Sequence, residues 1–180
     1  QREGTVAALE AMGNERDFFV IGLDKISIQG ERISSSSVRD AITSGNLGKA
    51  ANLLGRNFQV EGKITEGLAI GRTLGFPTAN LDIDSIQLLP ANGIYATWAR
   101  FDDQTYMSAT SIGHRPTFGN YEKTIESYLL DFDGDIYGKH LTLTFVDRIR
   151  DDIKFNNQFE LIDQMHIDVK NIRETLSKIT

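Results

Sequence analysis

Leu141-Thr-Leu-Thr-Phe145 is the stretch on which the fold turns. In an extended chain successive side chains leave on opposite faces. Leu141, Leu143 and Phe145 therefore point one way, and Thr142 and Thr144 the other. The same alternation runs through Phe58-Gln-Val-Glu-Gly-Lys-Ile64, Tyr95-Ala-Thr-Trp98 and Tyr106-Met-Ser-Ala-Thr110. Turn chemistry separates these runs at Pro90-Ala-Asn-Gly93, Asp102-Asp103 and Asp133-Gly134. About six short strands at this spacing suit a small closed antiparallel barrel, which leaves few exposed edges. The expected class is mainly β.

Past the strands, Ile162, Met165, Val169, Ile172, Leu176 and Ile179 recur at alternating intervals of three and four. That stripe predicts a helix over residues 158–178, packed on the barrel. Upstream of residue 57 the texture differs. Phe18-Phe-Val-Ile-Gly22 reads as a strand, and residues 5–12 read as part of a helix. Ser34-Ser-Ser-Ser37 offers N-caps for a helix through Val38, Ala41 and Ile42. Residues 47–54 read as a second short helix ending at Gly55. A strand followed by helices suggests the end of an α/β unit. The expected division is residues 1–55, a partial α/β segment, and residues 56–180, the barrel with its helix.

Composition excludes more than it selects. The 180 residues are 40% apolar and 24% charged, as in an ordinary soluble globular protein. No apolar run approaches the roughly 20 residues that span a bilayer, so no membrane partner is expected. The absence of cysteine removes disulfides, thiolate metal sites and Cys nucleophiles, and is compatible with a reducing cytoplasm. A net charge of −6 is a poor basis for gripping a nucleic-acid backbone, whereas a local cluster of amides and cations still holds a small anion. Gln1-Arg-Glu-Gly is neither a signal-peptide start nor an initiator Met, which leads to the expectation of a longer natural chain.

One loop has the makings of a phosphate site. Gly67, Gly71, Arg72 and Gly75 precede Pro77-Thr-Ala-Asn80. Glycines let backbone amides approach a ligand closely, and Arg72 adds a forked cation for phosphate oxygens. Thr78 and Asn80 are two apart, so in an extended segment their oxygens share a face, and such neutral oxygens suit Mg²⁺. On spacing alone an ordinary surface turn is the commoner reading, and the G-x-x-x-x-G-K-[ST] loop is absent.

The loop does not stand alone. Val60-x-Gly62-x-Ile64-x-x-Gly67 followed by Gly71-Arg-x-Leu-Gly-Phe-Pro-Thr-Ala-Asn80 resembles the nucleotide-binding signature of riboflavin kinases. Asn92-Gly-Ile-Tyr-Ala96, Ser111-Ile-Gly113 with Arg115-Pro-Thr-Phe118, Ile125-Glu126, Tyr137-Gly138, Ile149-Arg150 and Phe155 follow in the family's order. The resemblance covers residues 57–176, nearly the whole β part. It implies transfer of the ATP γ-phosphate to riboflavin, giving FMN and ADP, with Mg²⁺. It implies that Gly67, Gly71, Arg72, Gly75, Pro77, Thr78 and Asn80 bind nucleotide, Thr78 and Asn80 also holding the metal. Glu126 would be the general base on the ribityl 5′-hydroxyl, and Arg150 would lie near the flavin. An alcohol is a poor nucleophile, and a carboxylate within about 3 Å can take its proton during phosphoryl transfer.

Two positions depart from the family pattern. Tyr128 stands where a histidine or similar residue is common, and Asp152 where Glu is more usual. These departures keep open a catalytically idle flavin- or nucleotide-binding barrel as an alternative. A nucleic-acid-binding barrel is a further alternative, opposed by the acidic balance. His114, His140 and His166 lack metal-ligand spacing, and Tyr95 and Trp98 are expected to fill the barrel.

Gly30-Glu-Arg-Ile-Ser-Ser-Ser-Ser-Val-Arg39, with Leu54-Gly55-Arg56, resembles the end of an FMN adenylyltransferase module, which commonly precedes the kinase in one bacterial chain. Its usual Ile-Ser-Ser-Thr-x-Ile-Arg here has Ser36 for Thr and Val38 for Ile. An N-cap explains the serines equally well. No His-x-Gly-His type motif occurs in these residues, so this polypeptide is not expected to make FAD by itself. The remainder of the adenylyltransferase module would be a partner in cis.

Overall fold

The computed structural model describes residues 5–22, 26–28, 30–67, 70–117 and 120–179, grouped in two compact units that meet between Ile33 and Ser34. In the first, Thr5 caps helix α1 (Val6–Arg16) by accepting a hydrogen bond from the Ala8 amide at 3.1 Å. Strands β1 (Ser27–Ile28) and β2 (Glu31–Arg32) form a short antiparallel pair. The strand expected over residues 18–22 does not form. A strand needs a ladder partner for its amides and carbonyls, and this segment has none among the described residues.

The second unit begins with helices α2 (Ser35–Thr43) and α3 (Leu47–Leu54). Ser34 is the N-cap of α2, and the Ser34 and Ser37 side chains satisfy each other's backbone amides at 3.1 Å. Gly55 ends α3 in the left-handed region, at φ 70°. Compactness thus changes at Ser34, whereas the sequence division falls at residue 55. The reason is packing: Leu47 joins the main barrel core, and Gly45 lies so close to Arg148 that a Cβ would meet its Cδ at 2.9 Å.

Six strands follow: β3 (Gln59–Thr65), β4 (Thr78–Asp82), β5 (Gly93–Phe101), β6 (Gln104–Thr117), β7 (Asn120–Leu129) and β8 (His140–Arg150). A one-turn helix α4 (Ile70–Thr73) lies between β3 and β4, and helix α5 (Gln158–Ser177) ends the chain. The strands close into an antiparallel barrel, as expected from the alternation, in the order β3-β4-β7-β6-β5-β8. Leu141, Leu143 and Phe145 point inward and are at most 1% exposed. Leu143→Ala is expected to cost about 2–5 kcal/mol in chemical denaturation, because a filled barrel cannot collapse around the void. A loss below about 1 kcal/mol would contradict this packing.

Tyr95 also faces the interior, fully buried, but Trp98 does not. Three residues apart on one strand, the two must face opposite ways. Trp98 instead lies on the outer wall, where Ile172 and Leu176 of α5 pack against Ala96 and Leu130. The helix stripe therefore covers the outside of β5, β6 and β8. Ile179 lies outside it and is exposed, because the helix has ended at its cap, Lys178.

Candidate active site

Strand register brings distant residues into one row on the outer wall of the barrel. Asn80 pairs with Glu126, Glu126 with Ser111, Ser111 with Ile94, and Ile94 with Arg150. Directly opposed residues share a face, so this row crosses five strands on the side that α5 partly covers. Thr78 and Tyr128 form the next pair on the same face. Their chain neighbours Ala79 and Ser127 turn into the barrel and are buried. The Thr78 hydroxyl donates to Glu126 Oε2 at 3.3 Å, joining residues 48 apart in sequence.

The loop before β4 is drawn tightly against this row. The amides of Leu74 and Phe76 both donate to the Gly71 carbonyl, at 3.1 and 2.8 Å. Phe76, only 5% exposed, presents its ring edge-on to Tyr128 and to His166 of α5, with centroids 5.3 and 5.0 Å away. This aromatic contact pins the loop at the point where Pro77 leads into the strand. Two glycines are required by close approach. A Cβ on Gly67 would fall 2.1 Å from Asn80 Nδ2, and one on Gly71 would fall 2.4 Å from the Phe76 carbonyl oxygen. Gly75 has a different task, turning the loop at φ 86°.

Two cavities flank Thr78, which lines both. One, of about 330 Å³, is walled by apolar side chains including Ile94, Phe155, Leu161 and Met165, and its charged lining residues are Glu126, Arg150, Asp152 and Asp168. The other, of about 500 Å³, is lined by Arg72 and Pro77 and by the segment from Asp133 to Tyr137. Gly71 borders the smaller cavity. Gly67, Gly75 and Asn80 border neither: Gly67 packs on Asn80, which is the register partner of Glu126. Tyr128 and Asp152, the two departures, both line the smaller cavity. Phe118 of the quoted pattern lies outside the described residues.

Arg150 is held more firmly than its place at a strand end suggests. Its Nε and Nη2 donate to Asp168 of α5 at 2.8–3.1 Å, and Gln164 Nε2 donates to Asp168 Oδ1 at 2.9 Å. Sequence reading missed Asp168 and Gln164. Asp168 nonetheless falls on the apolar stripe of α5, between Met165 and Ile172, and an acid there asks for a buried cation.

The oxygens of Thr78, Asn80 and Glu126, carried on one face of the paired strands β4 and β7, are a hard donor set of the kind Mg²⁺ prefers. Among the described residues, no group of three His, Asp or Glu side chains gathers as a metal site. No helix among them is long and apolar enough to cross a membrane.

The family model described as riboflavin kinase matches residues 54–176. The chain is 35% identical over 178 residues to the bifunctional riboflavin kinase/FMN adenylyltransferase of Listeria monocytogenes, a match spanning 98% of this chain and 56% of that one. It spans about half the length of the curated relatives it matches. Among solved structures, one described as a macrolide-efflux protein from Streptococcus pneumoniae superposes with TM-score 0.84 at 35% identity, covering 95% of this chain and 55% of the other. The riboflavin kinase of Trypanosoma brucei superposes with TM-score 0.52 at 28% identity, over 67% of this chain and 80% of that one.

Proposed function

The chain belongs to the riboflavin kinase family, and on that premise we propose that it transfers the γ-phosphate of ATP to the 5′-hydroxyl of riboflavin. The observation that carries the assignment to this site is the Thr78–Glu126 contact at the border of the two cavities. Nucleotide occupies the larger cavity, its phosphates reached by Arg72 and Thr78 where the loop enters β4. The apolar walls of the smaller one take the flavin ring. Glu126 then stands beside the ribityl end.

In the reaction the 5′-oxygen forms a bond to the γ-phosphorus, and the bond from that phosphorus to the β–γ bridging oxygen breaks. ADP leaves with the bridging oxygen. Glu126 accepts the hydroxyl proton, while the hydroxyl of Thr78 orients its carboxylate. Thr78 and Asn80 are the residues that would hold Mg²⁺, which when bound offsets phosphate charge. Phe76 and the α5 side chains exclude water from the acceptor side, which favours transfer to the alcohol over hydrolysis.

The test is incubation of the purified chain with riboflavin, ATP and Mg²⁺, followed by chromatography of the flavins. FMN should accumulate, and its absence would sink the assignment. Riboflavin binding without FMN would favour the idle-barrel reading that Tyr128 and Asp152 keep open. In the same assay Asn80→Ala should raise the Mg²⁺ concentration for half-maximal rate by about tenfold. An unchanged requirement would remove Asn80 from the metal site.

Residues 1–55 are read as the end of an adenylyltransferase module whose remainder would lie in cis in a longer parent. Support comes from the names and lengths of the curated relatives and from exposed apolar side chains such as Phe19, Ile21 and Ile26. The parent would then also make FAD from FMN and ATP in the cytoplasm. The present chain alone should yield none, and FAD in the flavin chromatogram would refute this.

A further inference from the structure

Arg150 lines the smaller cavity, yet its charge is already answered. Asp168, whose side chain is 6% exposed, takes both its Nε and its Nη2, and the Arg150 side chain is itself only 18% exposed. Nη1 donates to the Asp151 carbonyl at 2.9 Å. Gln164, one helical turn before Asp168, donates to the same carboxylate at 2.9 Å and limits its rotation. A guanidinium carries five N–H groups. After these contacts, Nη1 and Nη2 each keep one N–H without a partner among the described residues. Arg150 thus stands at the cavity as a guanidinium fixed in geometry and compensated by Asp168, a carboxylate that lines the same cavity with those of Glu126 and Asp152.

Arg72 makes the contrast. It lines the other cavity and has no ion pair among the described residues. A phosphate is best served by a cation of that kind, whereas an uncharged acceptor is best served by donors held in fixed geometry. From this we infer that Asp168, braced by Gln164, is a positioning residue that makes Arg150 a donor to the uncharged flavin substrate instead of a cation for phosphate. The inference rests on the proposed kinase reading. It adds a consequence for product release: once the flavin carries a dianionic phosphate, the compensated Arg150 gives it no extra hold.

The test titrates riboflavin and FMN separately, by flavin fluorescence, into wild type, Asp168→Asn and Gln164→Leu. Steady-state KM values for riboflavin and ATP are measured beside them. Asp168→Asn should weaken riboflavin binding about tenfold and leave the KM for ATP within about twofold. It should weaken FMN binding distinctly less, because Arg150 is now an uncompensated cation and attracts the phosphate. The ratio of the two affinities should therefore move toward product by about threefold or more.

Simple loosening of the fold would lower both affinities by one factor, and that result would overturn the inference. Gln164→Leu keeps the ion pair, so it should weaken riboflavin several-fold with no change in the ratio. It also serves if Asp168→Asn fails to fold: unaltered riboflavin binding in Gln164→Leu would overturn the brace. A wild-type chain that neither binds riboflavin nor makes FMN would overturn the kinase reading together with this one. A wild type that does both, with unchanged binding in the variants, overturns the positioning role alone.

Discussion

Glu126→Gln is expected to lower kcat by about 10²–10⁴-fold, the range over which a positioned general base acts. The amide keeps the size of the carboxylate and can still accept from the Thr78 hydroxyl, which is 3.3 Å from Oε2 in the native site. What it loses is the ability to take a proton at neutral pH. Thermal stability should change little, because Glu126 lies on the outer wall and is not a member of the barrel core. Riboflavin and ATP should still bind. A loss in kcat with nearly constant KM marks an interaction made in the transition state. A variant turning over at near wild-type rate would remove Glu126 from the chemistry.

Gly71→Ala should reduce kcat/KM for ATP by about 100-fold, a loss of the size that misplacing reacting groups by an ångström produces. The added methyl would sit 2.4 Å from the Phe76 carbonyl oxygen and 3.4 Å from Thr78 Oγ1. The first of these is a backbone atom and cannot swing aside, so the loop must open. Opening it breaks the hydrogen bond that the Phe76 amide donates to the Gly71 carbonyl and withdraws Phe76 from Tyr128 and His166. Arg72 and Thr78 move with it. The KM for riboflavin should rise as well, since Gly71, Leu74 and Phe76 line the smaller cavity and Phe76 packs on His166 of α5. Kinetics indistinguishable from wild type would mean that the close approach has no part in binding nucleotide.

Much of the barrel was legible because its signal is local. Alternation at Leu141–Phe145 and over residues 58–64 marks two inner faces without any partner in view, and caps such as Ser34 and Gly55 announce helix ends within four residues. Other features depend on pairing, and no short window contains them. That Trp98 packs under α5 while Tyr95 fills the barrel depends on a helix distant in sequence, although their spacing already puts them on opposite faces. The apolar run over residues 18–22 has every attribute of a strand except a neighbour.

The site divides the same way. Spacing put Thr78 and Asn80 on one face, but it took resemblance to attach Glu126, because that contact spans 48 residues. The Arg150–Asp168 pair spans 18 residues and joins a strand end to a helix, so its only trace in the sequence is an acid on an apolar stripe. Gly67 read as part of a phosphate cradle, and a Cβ there would also meet Asn80 at 2.1 Å. A glycine beside a nucleotide motif can make room for a neighbouring side chain as well as for a phosphate.

The proposed transfer from ATP to the flavin is tested most directly by following the phosphate itself. Purified chain, riboflavin and Mg²⁺ are mixed with ATP labelled either at the γ- or at the α-phosphorus, and the flavins are separated. Label should enter FMN only from γ-labelled ATP, one phosphate per ADP formed, and Glu126→Gln should slow its entry without abolishing riboflavin binding. Release of labelled inorganic phosphate with no labelled FMN, or a flavin labelled from the α-position, would contradict the assignment.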